Sequence, residues 1–348
     1  MKILFLSNIP TPYQLDFIEE INRLESAEIA VFFLWGTEKN RDWKLKNNNV
    51  KILKFSKKFS DYYKFYKFFK SFKPDFILIG GYKIPLSNFA IFLAKVNDCK
   101  IIFWLEKPMP YQKIKKTIRN FHLKLKLLFA DCVLAIGKNA QNDYQKFSNF
   151  VYNLPYSMNF EDYYKIDRKN INNCVKFLFS GQLIDRKNIL TLVKTFKKIK
   201  NWDISLTIIG AGELADEIQR TIKKDNRVEF LGFVQPENLS DVFRQSNVFV
   251  LPSKYDGWAV VITEAMAAGM PIVSTKETGA AIEYIKHKEN GYLCGIDEES
   301  IKQGLMFYIN NPKLIYEHGY KNREIIKNSA VDARNAALYL YKTLLNLK

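Results

Sequence analysis

Short apolar runs alternate with amphipathic stretches along most of this chain, and that alternation leaves few folds open. The first run, Lys2 to Leu6, is followed by a Ser/Asn/Pro/Thr turn and a helical pattern from Tyr13 to Leu24. Strands read at Ile29–Leu34, Val50–Phe55, Phe76–Gly80, Lys100–Leu105 and Cys132–Ile136. Between them lie a polar loop, Trp35–Asn49, a Lys/aromatic helix, a helix near Pro85–Lys95 and a basic helix over Lys113–Phe129. Strands this short and apolar belong to a mostly parallel sheet covered on both faces, with the helices as crossovers. A polar, turn-rich stretch, Asn153 to Asn173, interrupts the pattern. It restarts with strands at Val175–Ser180, Ser205–Ile209, Val228–Leu231, Val248–Leu251 and Pro271–Ser274, separated by helices at Asn188–Lys200, Glu213–Lys223, Asn238–Gln245 and Val261–Ala268.

Two such runs predict an α/β protein of two Rossmann-like domains facing a cleft, and 348 residues suit two domains of ordinary size. The expected division is an N-terminal domain over 1–165, a linker over 166–174 and a second domain over 175–325. A last helix within 326–348 finds nothing obvious to pack on in the second domain and is expected to return to the first.

Hydrophobic residues make up 47% of the chain, which excludes wholesale disorder. No apolar run reaches the ~18 residues of a membrane span. Pro10 and Pro12 interrupt the opening apolar run and no small-residue cleavage site follows, so it reads as a buried strand rather than a signal sequence. Cys99, Cys132, Cys174 and Cys294 are far apart, match no metal-ligand spacing and read as free thiols in a reducing cytosol.

The net charge of +17 is unevenly spread: residues 1–170 hold 29 Lys and Arg against 16 Asp and Glu, the remainder 24 against 20. Such a field attracts phosphorylated substrates, anionic lipid or nucleic acid. Lys51–Lys73 carries eight lysines, one acid and nine aromatics, and reads as a membrane-interface helix with aromatics down and lysines toward headgroups, or as a helix whose aromatics are core. Lys113–Lys126 extends the basic patch. Single-stranded nucleic acid is the less favoured partner.

The richest stretch is Pro252 to Val273. Asp256 precedes Gly257, and Glu264 follows with seven residues between, opening a run of small residues. Two carboxylates so spaced can hold neighbouring hydroxyls of one ligand, or act as a turn residue and a first-turn helix acid. Upstream, Gly181, Gln182, Arg186 and Lys187 follow a strand and precede a helix, where an open α/β sheet binds ligands; Lys187 offers a point charge to a diphosphate and Arg186 a fork. Gly210 and Gly212 sit at another strand-to-helix turn but lack the third glycine of a dinucleotide fingerprint. A helix near Ala280 is expected to aim its first amides at an anion.

Taken in order, SGQLIDRKN, IIGAGE, VEFLGFV, SNVFVLPS, DGWAVVITEAMAAGMPIV, TGAAIEYI and NGYL resemble the retaining nucleotide-sugar glycosyltransferases of family 4, the "glycosyl transferases group 1", over Val175 to about Asn322. NIPTPY and PDFILIGGY resemble the family more loosely. The resemblance implies the GT-B fold. It places Glu264 on the donor ribose, Asp256 on the donor sugar, the amides of Gly257, Trp258, Ala259, Val260 and Val261 at sugar and phosphate, and Gly232, Phe233 and Val234 beside the base. Lys187 matches the diphosphate lysine. The chain departs from the pattern with Asp256 for the usual Glu, Ala259 for Gly, and Gln182 for the Arg that usually partners the lysine; the alanine suits the site if its φ is negative.

In the first half, His122 reads as a helix-face residue, and Glu106, at a strand end, is the candidate to orient or deprotonate an acceptor hydroxyl. The resulting expectation is a retaining transferase moving a sugar from a nucleotide-diphosphate sugar to a glycan or lipid-linked acceptor, in cell-surface polysaccharide or lipopolysaccharide synthesis. Asp256, Lys187 and Glu106 are its catalytic candidates, and it needs no obligatory metal or other cofactor. The expected location is cytoplasmic, with peripheral association at the inner face of the membrane. A GT-B nucleotide-sugar epimerase, or a basic protein that binds membrane or nucleic acid, is the alternative.

Overall fold

The computed structural model describes residues 1–34, 52–54, 59–81, 86–107, 113–168, 174–200 and 203–347. The loop read at Trp35–Asn49, and Lys51 and residues 55–58 of the Lys/aromatic segment, lie outside them. Two compact units are present: Met1–Asn159 with Ala330–Lys348, and Phe160–Ser329. The linker was read at 166–174; the units divide ahead of it, because Tyr163 and Arg168 already bond to residues of the second unit.

The first unit holds β1 (Lys2–Ser7), α1 (Pro12–Asn22), β2 (Glu28–Phe33), β3 (Ile52–Lys54), α2 (Phe59–Phe72), β4 (Phe76–Ile79), α3 (Ser87–Val96), β5 (Lys100–Glu106), α4 (Lys113–Leu127), β6 (Cys132–Ile136), α5 (Lys138–Tyr144) and β7 (Val151–Asn153). The sheet runs β3-β2-β1-β4-β5-β6-β7, every pair parallel. Right-handed crossovers put α2, α3 and α4 on one face and α1 on the other. On the first face Phe65, Phe69, Ile91, Leu123 and Leu127 pack over Leu4, Ile77, Ile101 and Phe103. On the other, Trp104 lies 5.2 Å from Phe17 of α1 and 5.8 Å from Phe5. Thr11 caps α1 by accepting from the Gln14 amide at 3.4 Å, and Pro12 opens the helix where its missing N–H costs nothing. The chain's last helix packs here too, so the C-terminal segment returns to the first unit as expected.

The second unit holds α6 (Glu161–Tyr164), β8 (Val175–Ser180), a 3₁₀ turn (Asp185–Lys187), α7 (Ile189–Lys198), β9 (Ile204–Ile209), α8 (Ala215–Ile222), β10 (Val228–Gly232), α9 (Pro236–Gln245), β11 (Val248–Leu251), α10 (Val260–Ala267), β12 (Ile272–Thr275), α11 (Gly279–Tyr284), β13 (Gly291–Cys294), α12 (Glu298–Asn310) and α13 (Lys313–Lys327). The returning helix is α14 (Ala333–Leu345). This sheet runs β10-β9-β8-β11-β12-β13, also parallel throughout. The chain winds outward from β8 in one direction, then from β11 in the other. That reversal opens a crevice beyond the carboxyl ends of β8 and β11, the place where doubly wound sheets take ligands.

Among the described residues no helix is long and apolar enough to cross a membrane. In the Lys/aromatic segment, Phe65, Phe69 and Phe72 are core residues, so the picture of its aromatics turned down into a membrane does not hold for them. They occupy the sheet-facing side because helix positions three or four apart share a face.

Candidate functional site

The loops leaving β8 and β11 bring a lysine, an arginine and an aspartate together at the crevice. Lys187, buried at the end of the 3₁₀ turn, donates from Nζ to Oδ2 of Asp256 in an ion pair. Nη1 of Arg186 lies 3.4 Å from the same oxygen and donates to the Tyr255 carbonyl at 2.8 Å. Burial by itself raises the pKa of Asp256, but the Lys187 charge and hydrogen bond, the Arg186 charge and the Trp258 amide outweigh it, and the carboxyl is held below its usual range. Asp256 is therefore a firmly ionised acid, and Lys187, with three N–H donors, keeps capacity for a second anion.

Backbone bonds fix the Asp256 loop to the loop after β12. The Asp256 amide donates to Glu277, and the amides of Gly279 and Ala280 donate to the carbonyls of Asp256 and Trp258 at 3.1 and 2.8 Å. The first amides of α11 are thereby occupied, contrary to the expectation that they face an anion. A side chain at Gly279 would start 2.2 Å from the Gly257 carbonyl, so only glycine permits this approach. The Trp258 side chain is fully buried, edge-on to Tyr284 at 5.9 Å, and anchors the loop.

The next helix, α10, begins after Ala259, whose φ of 66° and ψ of 76° are left-handed. The negative φ that would suit an alanine is not adopted, because the chain reverses here from the Trp258 anchor into the helix. The amides of Val260 and Val261 head α10 with no intrahelical acceptor, and a helix start of this kind favours negative charge. Glu264 lies one turn on, half-buried, accepting at Oε1 from the Tyr163 hydroxyl of α6 at 3.0 Å. At its other end α10 is held by Arg168 and Arg323, which donate to the Ala268 carbonyl at 2.7 and 3.0 Å.

Gly181 and Gln182 sit at the β8 end, beside Lys187. Gly210 and Gly212 serve packing: a Cβ at 210 would lie 1.8 Å from the Gly181 carbonyl, and one at 212 would lie 2.4 Å from that of Leu183. Gly232, at φ 69°, faces open space, with Phe233 exposed and Val234 half-buried after it.

Glu106 belongs to the first unit, where it ends β5 exposed. Its carboxylate accepts a hydrogen bond from Tyr156; burial first, then the Glu106 charge, drive that phenol's pKa well up. The Tyr156 ring lies tilted 4.8 Å from that of Tyr13 and edge-on 5.2 Å from Trp104. Sequence reasoning missed Tyr13, Tyr156 and Tyr163. Tyr13 closes the NIPTPY stretch, the single signal that pointed near them.

Residues 163–330 match the family model described as glycosyl transferases group 1. An uncharacterised glycosyltransferase of Haemophilus influenzae is 30% identical over 174 residues, 48% of this chain and 47% of that protein. The N-acetylgalactosamine-N,N'-diacetylbacillosaminyl-diphospho-undecaprenol 4-alpha-N-acetylgalactosaminyltransferase of Campylobacter jejuni is 30% identical over 236 residues, 64% of this chain and 63% of that one. The chain thus spans less than two thirds of either relative. Among solved structures, Anabaena HepE in complex with UDP aligns over 99% of this chain and 100% of its own at a TM-score of 0.84 and 17% identity. Sucrose-phosphate synthase of Thermosynechococcus elongatus aligns over the whole of both chains at 0.79 and 16%. The two Rossmann-like units are those of the GT-B fold.

Proposed function

Because residues 163–330 match the family model of the group 1 glycosyl transferases, we propose that the chain is a retaining glycosyltransferase that moves a sugar from a nucleotide-diphosphate sugar to a hydroxyl of a glycan or lipid-linked acceptor. The observation that carries this reading is the meeting of Lys187, Arg186, Asp256 and the head of α10 at the switch point of the second sheet. The diphosphate takes Lys187, Arg186 and the Val260 and Val261 amides; these offset the charge that develops as the sugar leaves. Asp256, held ionised, accepts hydrogen bonds from sugar hydroxyls. Glu264, oriented by Tyr163, accepts from the ribose hydroxyls, and Gly232 to Val234 flank the base. In the reaction, the bond between the anomeric carbon and the diphosphate oxygen breaks and the acceptor oxygen bonds to the same carbon on the same face. The acceptor proton passes to the departing phosphate. Glu106 orients the acceptor hydroxyl through its carboxylate.

Two names among the similar proteins guide the choice of substrates. HepE was captured with UDP, and the Campylobacter relative is named for a diphospho-undecaprenol acceptor, which supports a lipid-linked acceptor in surface-polysaccharide synthesis. The test is incubation with a panel of nucleotide sugars, UDP-sugars first, following nucleotide release and transfer. Binding or slow hydrolysis of one donor is expected, lost in Glu264→Ala and retained in EDTA, since the diphosphate is held by protein cations and amides. No donor bound, an unaffected Glu264→Ala variant, or epimerised donor as the product overturns the reading.

A further inference from the structure

The first unit turns an apolar face outward. In α4, Ile118, Phe121 and Leu125 recur at three and four residues, and Leu128 continues the row just past the helix. Ile118, Phe121 and Leu128 are 65%, 64% and 70% exposed. The helix meets the core with Leu123 and Leu127 instead, so its outer row is a second apolar stripe that a single layer of helices on a sheet has no means to cover. Beside it α3 exposes Phe92 and Val96, one turn apart. The two helices are neighbours, joined by Lys126 Nζ donating to Ser87 Oγ at 2.7 Å. Seven large apolar side chains, counting Leu125 and Phe129, therefore stand exposed on two adjoining helices and the two residues that follow α4.

Described cations flank the patch, with Lys124 of α4 and Lys95 of α3 exposed, and in sequence residues 107–130 contain six lysines, one arginine and no acid. Next to α3, α2 carries exposed Lys64, Lys67 and Lys70 with exposed Tyr63 and Tyr66, and Lys70 is joined to Asn97 beyond α3 at 2.6 Å. Two of the nearby acids are engaged: Asp61 lies 3.6 Å from Lys64, and Asp131 lies 3.7 and 3.4 Å from Lys95 and Lys100, while Asp98 stands exposed just past α3.

We propose that the outer face of α3 and α4, flanked by the lysines of α2, docks on an anionic phospholipid bilayer. Apolar side chains enter the acyl boundary while ammonium groups meet lipid phosphates, and the helices lie in the interface rather than cross it. A second copy of the chain is disfavoured because two faces with an excess of cations repel. Aliphatic Ile118, Leu125, Leu128 and Val96 break up the exposed rings of Phe92, Phe121 and Phe129 and suit acyl chains better than successive stacked bases, which disfavours nucleic acid. The assignment moves the membrane face from the aromatics of α2, largely core, to α3 and α4. It stands on surface chemistry alone and does not depend on the transferase reading.

The test is flotation of the whole chain with phosphatidylglycerol/phosphatidylcholine vesicles against phosphatidylcholine alone. Binding to the anionic vesicles is expected, and the double variant Phe121→Ser/Leu125→Ser should weaken it about tenfold or more. Tyr316→Ser, at an exposed apolar residue of the second unit, should leave it unchanged. In a Phe121→Trp variant, bromine-labelled acyl chains should quench the indole. Unchanged flotation of the double variant, an unquenched Trp, or a wild-type dimer that the double variant converts to monomer overturns the proposal.

Discussion

At the scale of the residue, the site turns on one ion pair and one strained alanine. Lys187→Ala leaves Asp256 buried with Arg186 3.4 Å away as its remaining cation. Breaking a buried pair from one side costs about 3 kcal/mol, readable as a lower urea midpoint, and donor turnover should fall about a hundredfold. The pH dependence has a definite sign. Because the folded pKa of Asp256 lies below the ordinary carboxylate value, its stabilisation is present above about pH 4 and is lost as pH falls through the depressed value. Melting temperature in Asp256→Asn should therefore fall less steeply below about pH 4 than in the parent chain. Ala259 holds φ 66°, a conformation that costs an L-residue about 1 kcal/mol. Ala259→Gly should raise stability by about 0.5–1 kcal/mol in the same unfolding measurement, and a loss would contradict the left-handed assignment. The acids and cations of the site were legible in the sequence because Asp-Gly, Asp-Arg-Lys and the Glu-led small-residue run are local patterns. The sign of φ at Ala259 was not, since alanine rarely adopts it and only the buried Trp258 anchor explains why the chain must.

Elements pack into a binding crevice through their loops, and there two glycines of similar appearance differ. At Gly210 a Cβ would collide with the Gly181 carbonyl at 1.8 Å, whereas at Gly232 it would meet nothing within 4 Å. Gly210→Ala should push the β9 loop off the β8 loop, costing roughly 3 kcal/mol and donor binding together. Gly232→Ala should cost only about 1 kcal/mol for its φ of 69°. Equal effects, measured by unfolding and nucleotide titration, would refute the packing role. Most longer strands and helices are readable from period and apolar runs, whereas β7, of three residues, is not, and its last residue, Asn153, opens the stretch read as turn-rich. A strand that short takes its identity from the neighbour it bonds to. The basic helices show the same limit. Both α2 and α4 mix lysines with apolar residues, and burial alone separates the aromatics of α2 that join the core from the stripe of α4 that does not.

For the whole molecule, the C-terminal helix joins the chain's end to its beginning. Leu340 and Leu344 of α14 are buried in the first unit along with Ala333, Ala336 and Ala337. Leu340→Ala should destabilise that unit by about 3 kcal/mol, and removal of 330–348 should lower its melting transition while the second unit's stays. A single unchanged transition would refute the division. By itself the sequence determined the class of fold, two doubly wound units, and pointed to the candidate site residues of the second, because apolar period, turn residues and ordered short motifs are local and survive in one dimension. Only the tertiary structure decided which groups act together. Lys187 and Asp256 are 69 residues apart, and Tyr163 and Glu264 are 101 apart. Such pairs exist because parallel crossovers carry β8, β11 and α10 to one crevice, and no pattern along the chain records the distance between them.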